Sequence, residues 1–484
     1  MKKKVLATLL TGVMATSLLA GCGGAAPAAE APAAESAAEA EAAPADDAAT
    51  TDTATPANGG GEGTINLWAF TDEVPGMIQK YVDEHPDFPY SINTTIIATT
   101  DGAYQPALDA ALQAGGADQP DMYCAEAAFI LKYSKGDMQD FAMPYADLGI
   151  DVDNLVKEAD IAQYTMDIGS NTDGQLDALG YQTTGGVFIY RRSIAKDVFG
   201  TDDPAEISKI IGGGSGSWDK FFEAAAKLAE KGDAIVSGDG DIWHAVENSS
   251  DKGWLDADGK LQIDPKREAF LDISKDLTDK GWSNVTQDWQ DAWFADMKGE
   301  GAKPVFGFFG PAWLINYTLA PNCGGEKVGE GTYGDWAICD SPIGFFWGGT
   351  WLLANKNMDE AKKAAVAELI QWVTLDSSED GLQYKWANGT LNGEGGTKDS
   401  VASGTVMSKS NGELDFLGGQ NMFDYFVPAN KYANGKNLTQ YDESINSIWR
   451  DQVRAYAAGE KDRDAAIADF KQTVSDNLGI EVAE

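Results

Sequence analysis

The sequence predicts an α/β fold with parallel strand pairing. Two observations carry this. Short apolar runs alternate with amphipathic helical patterns from residue 65 to residue 126. Glycine and proline punctuate the alternation where helices must start or stop.

"INLWAF" (65–70) is the first strand candidate. "DEVPGMIQKYVDEHP" follows, with Val74, Met77, Ile78, Tyr81 and Val82 on one helical face and Pro75 in the first turn. "SINTTIIATT" alternates Ile92, Thr94, Ile96 and Ala98, the period of a strand. A helix through Leu108 and Leu112 stops at Gly115-Gly116, and "PDMYCAE" (120–126) is the third strand. Ligands of such sheets bind at the carboxyl ends of strands. Those ends here are Thr71-Asp72-Glu73 and Ala125-Glu126. Further along, Phe270, Ile273 and Leu277 mark one helix, and Val366, Leu369, Ile370 and Val373 another, which "GLQYKW" follows. Two C-terminal helices bury Ile445, Ile448, Trp449 and Val453, then Ile467, Phe470 and Val474. No internal repeat is present.

The 484 residues suffice for two to four domains, and 43% hydrophobic content supports a sizeable core. The net charge of −40 disfavours nucleic acid and anionic lipid surfaces as partners. Residues 1–21 read as an export signal: Lys2, Lys3 and Lys4, then an apolar run too short to span a membrane. Residues 22–63 are nearly all Ala, Pro, Glu, Asp, Thr and Gly, which predicts a flexible acidic tether. Cys323 and Cys339 bracket a glycine-rich loop. A disulfide or two buried thiols both fit an extracellular setting. Cys124 reads as a lone buried thiol.

Catalytic and metal signatures are poor, and no cofactor is expected. His85 and His244 are the only histidines, and there is no Cys-x-x-Cys pair. "DADG" (256–259) starts like a calcium loop, but Arg267 stands where the bidentate Glu belongs, so a turn through Asp258-Gly259 is expected. "IIGGGSGSW" (210–218) lacks the Gly-Lys-Ser/Thr of a phosphate loop and reads as a loop with Ser217 capping the next helix. There is no Gly-x-Ser-x-Gly elbow. What stands out is 14 tryptophans, many beside Asp, Gly or Pro: "GDGDIWH", "QDWQDAWFAD", "GPAWLINY", "IGFFWGGTW". A sugar ring offers a C–H face to an aromatic and hydroxyls to carboxylate or amide acceptors. As a set these juxtapositions favour a neutral polyhydroxyl ligand, although most of the individual rings belong to the core.

Leu19-Ala20-Gly21-Cys22 resembles the lipobox of bacterial lipoproteins, which implies lipid on Cys22. "INLWAFTDE", "PDMYCAEAAFI", "DALGYQTTGGVFIYRRSIAKDVFG", "FGFFGPAWL" and "GFFWGGTWLLANK", in that order, resemble the carbohydrate-binding lipoproteins of bacterial ABC importers, similar in architecture to maltose-binding protein. The resemblance implies two α/β lobes joined by crossing strands over a ligand cleft: 64–182 with 350–392, and 183–349 with 393–484. It implies a monomeric, non-enzymatic receptor on the outer face of the cell membrane that passes a neutral sugar or oligosaccharide to an ABC permease. Carried over residue by residue, Asp72 and Glu126 would bond the sugar and Trp313 would stack under it. Tyr181 and Gln182 fall on the first crossing, and Trp347, Gly349 and Trp351 on the second. Asp241 and Trp243 would be the second lobe's acid and aromatic. Cys124 stands where the family often has an aromatic, and the loop between Cys323 and Cys339 is longer than the family's. An extracellular glycoside hydrolase and a surface adhesin are the rival readings.

Overall fold

The computed structural model describes residues 63–99, 102–393 and 395–483. The signal segment, Cys22 and all but the end of the tether lie outside the described residues. Eight strands matter to the site. They are β1 (Gly63–Ala69), β2 (Tyr90–Ile96), β3 (Met122–Glu126), β4 (Ala178–Gly180), β5 (Val187–Arg191), β6 (Gly307–Gly310), β7 (Trp336–Cys339) and β8 (Thr350–Ala354).

The first sheet has the order β2-β1-β3-β8-β4. β1 runs parallel to β2 and β3, as the strand–helix alternation requires, because the helices Glu73–Glu84 and Tyr104–Ala114 return the chain to the same end. Val74, Met77, Ile78 and Tyr81 are the buried face of the first helix. β8 enters late from the second half of the chain and pairs antiparallel with both β3 and β4. β2 lies at the sheet edge with a single partner strand, and its expected alternation decays: Ile92 is buried but Ile96 is exposed.

The second sheet is antiparallel, β6-β5-β7. The adjacent Phe308 and Phe309 point to opposite faces of β6 and enter different cores. Phe309 joins Phe188, Phe221 and Phe345, while Phe308 packs on Trp293 and Trp336. The C-terminal helices Asp442–Ala457 and Arg463–Leu478 close this lobe through Trp449 against Phe470 and Trp254.

Several local readings hold. Asp256 Oδ1 accepts the N–H groups of Asp258 and Lys260 at 2.9 Å, which makes "DADG" a turn with Gly259 at φ +75°. Ser217 was expected to cap the helix Asp219–Lys231, but Trp218 is its cap residue, without a side-chain cap bond; Ser217 Oγ instead accepts the Asp219 N–H at 3.2 Å from one residue further back. Cys323 and Cys339 are separate buried thiols rather than a disulfide. The Cys323 sulfur is instead 3.0 Å from the Ala320 carbonyl oxygen and 3.1 Å from that of Gly325. Cys124 is buried, and burial pushes its thiol up. No described helix is long and apolar enough to cross a membrane.

Phe309→Ala should destabilise the protein by about 3–5 kcal/mol, since it empties an aromatic cluster that cannot collapse onto itself. Urea unfolding of the variant beside the parent measures this.

Candidate functional site

Residues 181–186 carry the chain from β4 to β5, and residues 340–349 carry it back from β7 to β8. The two crossings pair with each other. The Gly186 N–H donates to the Phe345 carbonyl (2.9 Å), the Trp347 N–H to the Thr184 carbonyl (3.1 Å), and Thr184 Oγ1 to the Gly348 carbonyl (2.8 Å). The approach is so close that a Cβ on Gly186 would strike the Phe345 ring, and one on Gly185 would strike Asn430. A third segment docks on the first crossing: the Ala402 N–H donates to the Tyr181 carbonyl (2.8 Å) and Thr183 Oγ1 to the Val401 carbonyl (2.9 Å). Tyr164 braces the junction. Its oxygen accepts the Thr184 N–H (2.6 Å), and its ring stacks on Phe346 at 4.9 Å.

Trp313 projects from this junction. After β6, Gly310-Pro311 turns the chain into a short helix that leaves Trp313 half-buried. Its Nε1 donates to the Trp347 carbonyl at 3.0 Å. Trp289 lies parallel to it (6.1 Å between centroids, 13°), and Trp347 stands edge-on to both, at 5.0 and 5.9 Å. His244 stacks on Trp347 at 4.6 Å. The three indoles form a corner.

Glu126, the last residue of β3, faces the corner from the other lobe. A Cβ on Gly348 would sit 3.5 Å from Trp313 Nε1 and 3.7 Å from Glu126 Oε1, so both groups flank one glycine. Glu126 Oε2 accepts the Ala128 N–H at 2.7 Å. Burial pushes its carboxyl up to about 8, against that N–H and with help from the like charge of Glu443. Glu443 opens the helix Asp442–Ala457. It is reached by water, yet protein surrounds it closely enough that desolvation and the charge of Glu247 push it up to about 7, against Arg450. Glu247 stays below the usual carboxylate range despite burial, because His244, Arg267 and Asn446 favour its charged form.

Tyr181 is buried, and its hydroxyl donates to Glu73 at 2.5 Å. Burial raises Glu73 more than this bond lowers it. Glu73, not the exposed Asp72, is therefore the acid tied to the crossing. Gln182 is half-buried on the same crossing. Asp399 and Tyr317 bring further acidity to this end, each acting electrostatically on Tyr181 and each influenced by Glu73.

Four expectations are corrected by the geometry. Asp241 spends its carboxylate inside the lobe: Oδ2 accepts the Ser237 and Gly238 N–H groups (2.8 and 2.9 Å) and Oδ1 accepts Trp293 Nε1 (2.8 Å). Trp243 is 1% exposed and packs on Phe270 at 5.0 Å. The helix Gly240–Asn248 turns Ile242, Trp243 and Val246 inward, and the neighbouring His244 reaches the cleft instead. Trp351 is 2% exposed in β8 and donates to the Thr165 carbonyl at 3.3 Å, so it is core. Gly349 has φ +120° and gives its carbonyl to the Ala127 N–H, a backbone role. Trp347 is nearly buried but forms one wall of the corner.

Sequence reasoning passed over Trp289, His244, Glu73, Asp399, Tyr317 and Glu443. Trp289, His244 and Tyr317 lay within the quoted "QDWQDAWFAD", "GDGDIWH" and "GPAWLINY", and Glu73 stood in the strand end Thr71-Asp72-Glu73; Asp399 and Glu443 gave no local signal. A surface cavity of about 740 Å³ between the helices Glu73–Glu84 and Lys363–Thr374 is lined by none of these residues. Among the described residues no group of three or more His, Cys, Asp or Glu converges as a metal site.

The family model described as bacterial extracellular solute-binding protein matches residues 68–380, and the chain belongs to that family. Its fold matches a crystal structure described as an extracellular solute-binding protein family 1 member, at TM-score 0.69 and 18% identity, covering 85% of this chain and 99% of the other. It also matches the galacto-N-biose/lacto-N-biose I-binding protein of an ABC transporter from Bifidobacterium longum, at TM-score 0.63 and 16% identity over 88% and 100% of the two chains. The sugar-binding protein MalE from Xanthomonas citri matches at TM-score 0.63 and 17% identity over 86% and 97%. No curated protein matches the sequence. The architecture is the two-lobed fold of periplasmic binding proteins.

The raised carboxyls set a pH dependence. Glu126 (about 8), Glu443 and Asp241 (both about 7) hold protons in the folded state that the unfolded chain has released. Their contribution to stability is complete below the unfolded carboxylate range and is lost as pH rises through about 8. The ligand-free melting temperature should fall across that window, and Glu126→Gln should flatten the upper part. Thermal unfolding at closely spaced pH values reads both.

Proposed function

We propose that this chain is the lipid-anchored extracellular receptor of an ABC importer, and that it captures a sugar or oligosaccharide between its lobes for delivery to the permease. The observation that carries the reading is the indole corner of Trp313, Trp289 and Trp347 at the paired crossings, with Glu126 facing it from the other lobe. An indole face covers the apolar face of a pyranose, and carboxylates accept its hydroxyls. Similarity to a binding protein solved with lacto-N-biose and to a sugar-binding MalE supports the same class of ligand.

The work is done by differential affinity. A ligand that touches both lobes stabilises the closed state, which the permease reads, and no bond is broken. The lobes are 64–182 with 350–392, and 183–349 with 393–484; Cys22 holds the monomer to the membrane through lipid. Within the site, Trp313, Trp347 and Glu126 contact the sugar, while Asp72 and Gln182 border it.

Glu126 and Glu443 raise the hydrolase alternative, because two carboxyls across a cleft suit glycoside cleavage. Such a pair needs one ionised and one protonated member, set by different surroundings. Here desolvation and like charge push both in the same direction. Incubation with oligosaccharides tests this, and any product release rejects a receptor.

A ligand at 100 times its dissociation constant adds about 2.7 kcal/mol of stability. In a thermal-shift screen over mono- and oligosaccharides, Trp313→Ala should abolish the largest shift with only a small change in the ligand-free melting temperature. Trp243→Ala should instead cost about 3–5 kcal/mol without ligand. A Trp313→Ala loss as large as that would place Trp313 in the core and defeat the reading. Cys22→Ser should release the protein into the medium, scored by fractionating cells from supernatant.

A further inference from the structure

Trp289 holds its position at a cost. Its φ is +66°, and that of Val285, four residues earlier, is +58°. Residues with a Cβ rarely take this left-handed backbone, and bulky or β-branched ones least of all. The loop is nevertheless tied down on both sides. The Asn284 and Thr286 N–H groups both donate to the Ser237 carbonyl, at 2.9 and 3.3 Å. Arg450 donates to both oxygens of Asp288, at 2.7 and 2.8 Å. Gln290 is the cap residue of the helix Asp291–Lys298, and its carbonyl accepts the Trp293 N–H at 2.9 Å. Strain that neighbours enforce this firmly is a mark of ligand clamps, where the strained residue serves binding rather than folding.

The indole carries a second observation. Its Nε1 is buried and has no hydrogen-bond partner among the described residues, which is costly for an N–H. The neighbouring indoles differ: Trp313 donates to the Trp347 carbonyl and Trp293 to Asp241. Trp289 is held by ring contacts, tilted on Trp293 at 5.3 Å, edge-on to Trp347 and parallel to Trp313. Two nearly parallel planes are no further apart than their centroids, here 6.1 Å. A sugar ring between two indoles needs about 3.5–4 Å to each plane, or about 7–8 Å in all. The slot between Trp289 and Trp313 is therefore shut, by at least about 1 Å.

We propose that Trp289 is a further sugar-stacking residue and the movable jaw of a clamp: its indole lies on Trp313 while the site is empty and shifts outward to take one pyranose ring between the two. This rests on the sugar-receptor reading and names the class of ring. Two indole faces require a sugar with C–H groups on both faces and its oxygens at the edge, which describes a β-linked, gluco-configured pyranose. An axial hydroxyl would be pressed against an indole with no acceptor. Trp347, edge-on to both indoles, closes the back of the slot.

The test titrates the full-length protein by calorimetry with cellobiose, maltose, β-1,4-mannobiose and β-1,4-galactobiose, which differ in the ring positions that carry an axial oxygen. Cellobiose should bind at least roughly tenfold tighter than the other three, the cost of one hydroxyl left unpaired. Trp289→Asn should weaken cellobiose by at least roughly tenfold and erase the preference. Because asparagine tolerates the left-handed backbone, the same variant should leave the ligand-free melting temperature unchanged or higher. Trp289→Phe should restore part of the cellobiose affinity. Four results overturn the proposal: no binding of cellobiose, an axial probe bound as tightly, cellobiose binding that Trp289→Asn leaves unchanged or tightens, or a ligand-free melting temperature that falls as far as that of Trp243→Ala. Trp313→Ala keeps the two levels apart. Sugar binding that Trp313→Ala abolishes and Trp289→Asn leaves intact preserves the receptor and removes the jaw. Sugar binding that Trp313→Ala leaves untouched defeats the site itself.

Discussion

The structure depends on two crossing segments that approach closely because the first of them carries no side chain at Gly185 and Gly186. At Gly185 and Gly186 the first crossing meets Phe345 and Asn430 at distances that exclude a Cβ. That contact fixes the pairing of Thr184 with Trp347 and Gly348, and the Trp347 carbonyl in turn fixes the indole of Trp313. The aromatic corner thus hangs from backbone hydrogen bonds at the edge of a packed core. Its walls come from residues 289, 313 and 347, far apart in sequence, yet their orientation is set by a few hydrogen bonds at one place. At that place only a few backbone hydrogen bonds join the two crossings.

Tryptophans divide between two duties. Trp243, Trp254, Trp293, Trp336, Trp351 and Trp449 are buried and hold the lobes together. Trp289 and Trp313 keep part of their surface free, and Trp347 lies between the two groups. Acids divide in a similar way. Asp241 binds its own lobe's backbone, whereas Glu126 stands beside Trp313 at Gly348, and the charge of Glu443 helps burial raise its proton affinity. The overall acidity of the chain is therefore not only a surface property.

Much of the fold was legible because its signals are local. The spacing of Val74, Met77, Ile78 and Tyr81, the glycines after residue 114, and the paired phenylalanines of β6 each act within a turn or two. In the candidate site, Trp313 was legible from the Gly310-Pro311 turn, and Glu126 and Trp347 from the strand end and the second crossing; the structure brings these three together. Elsewhere one helical step of about 100° decided the outcome. Asp72 was expected and Glu73 is the residue tied to Tyr181; Trp243 was expected and His244 stands at the cleft. Asp241 looked like a sugar acceptor because it neighbours a tryptophan, but nearby backbone N–H groups claim it first. Trp289, Glu443 and Asp399 needed the tertiary structure, since nothing in their own sequence neighbourhoods points to residue 313 or 126.

The position of β8 bears on how the chain is made. β8 fills the slot between β3 and β4, yet it is more than 160 residues downstream of either. Until residues 350–354 have emerged, two strands of the first sheet face an open gap with unpaired edges. A chain made from its N-terminus residue by residue cannot finish its first lobe before most of the second has been delivered. The early strands must be kept from pairing with other chains during that interval, and an acidic, mutually repelling polypeptide is well suited to wait.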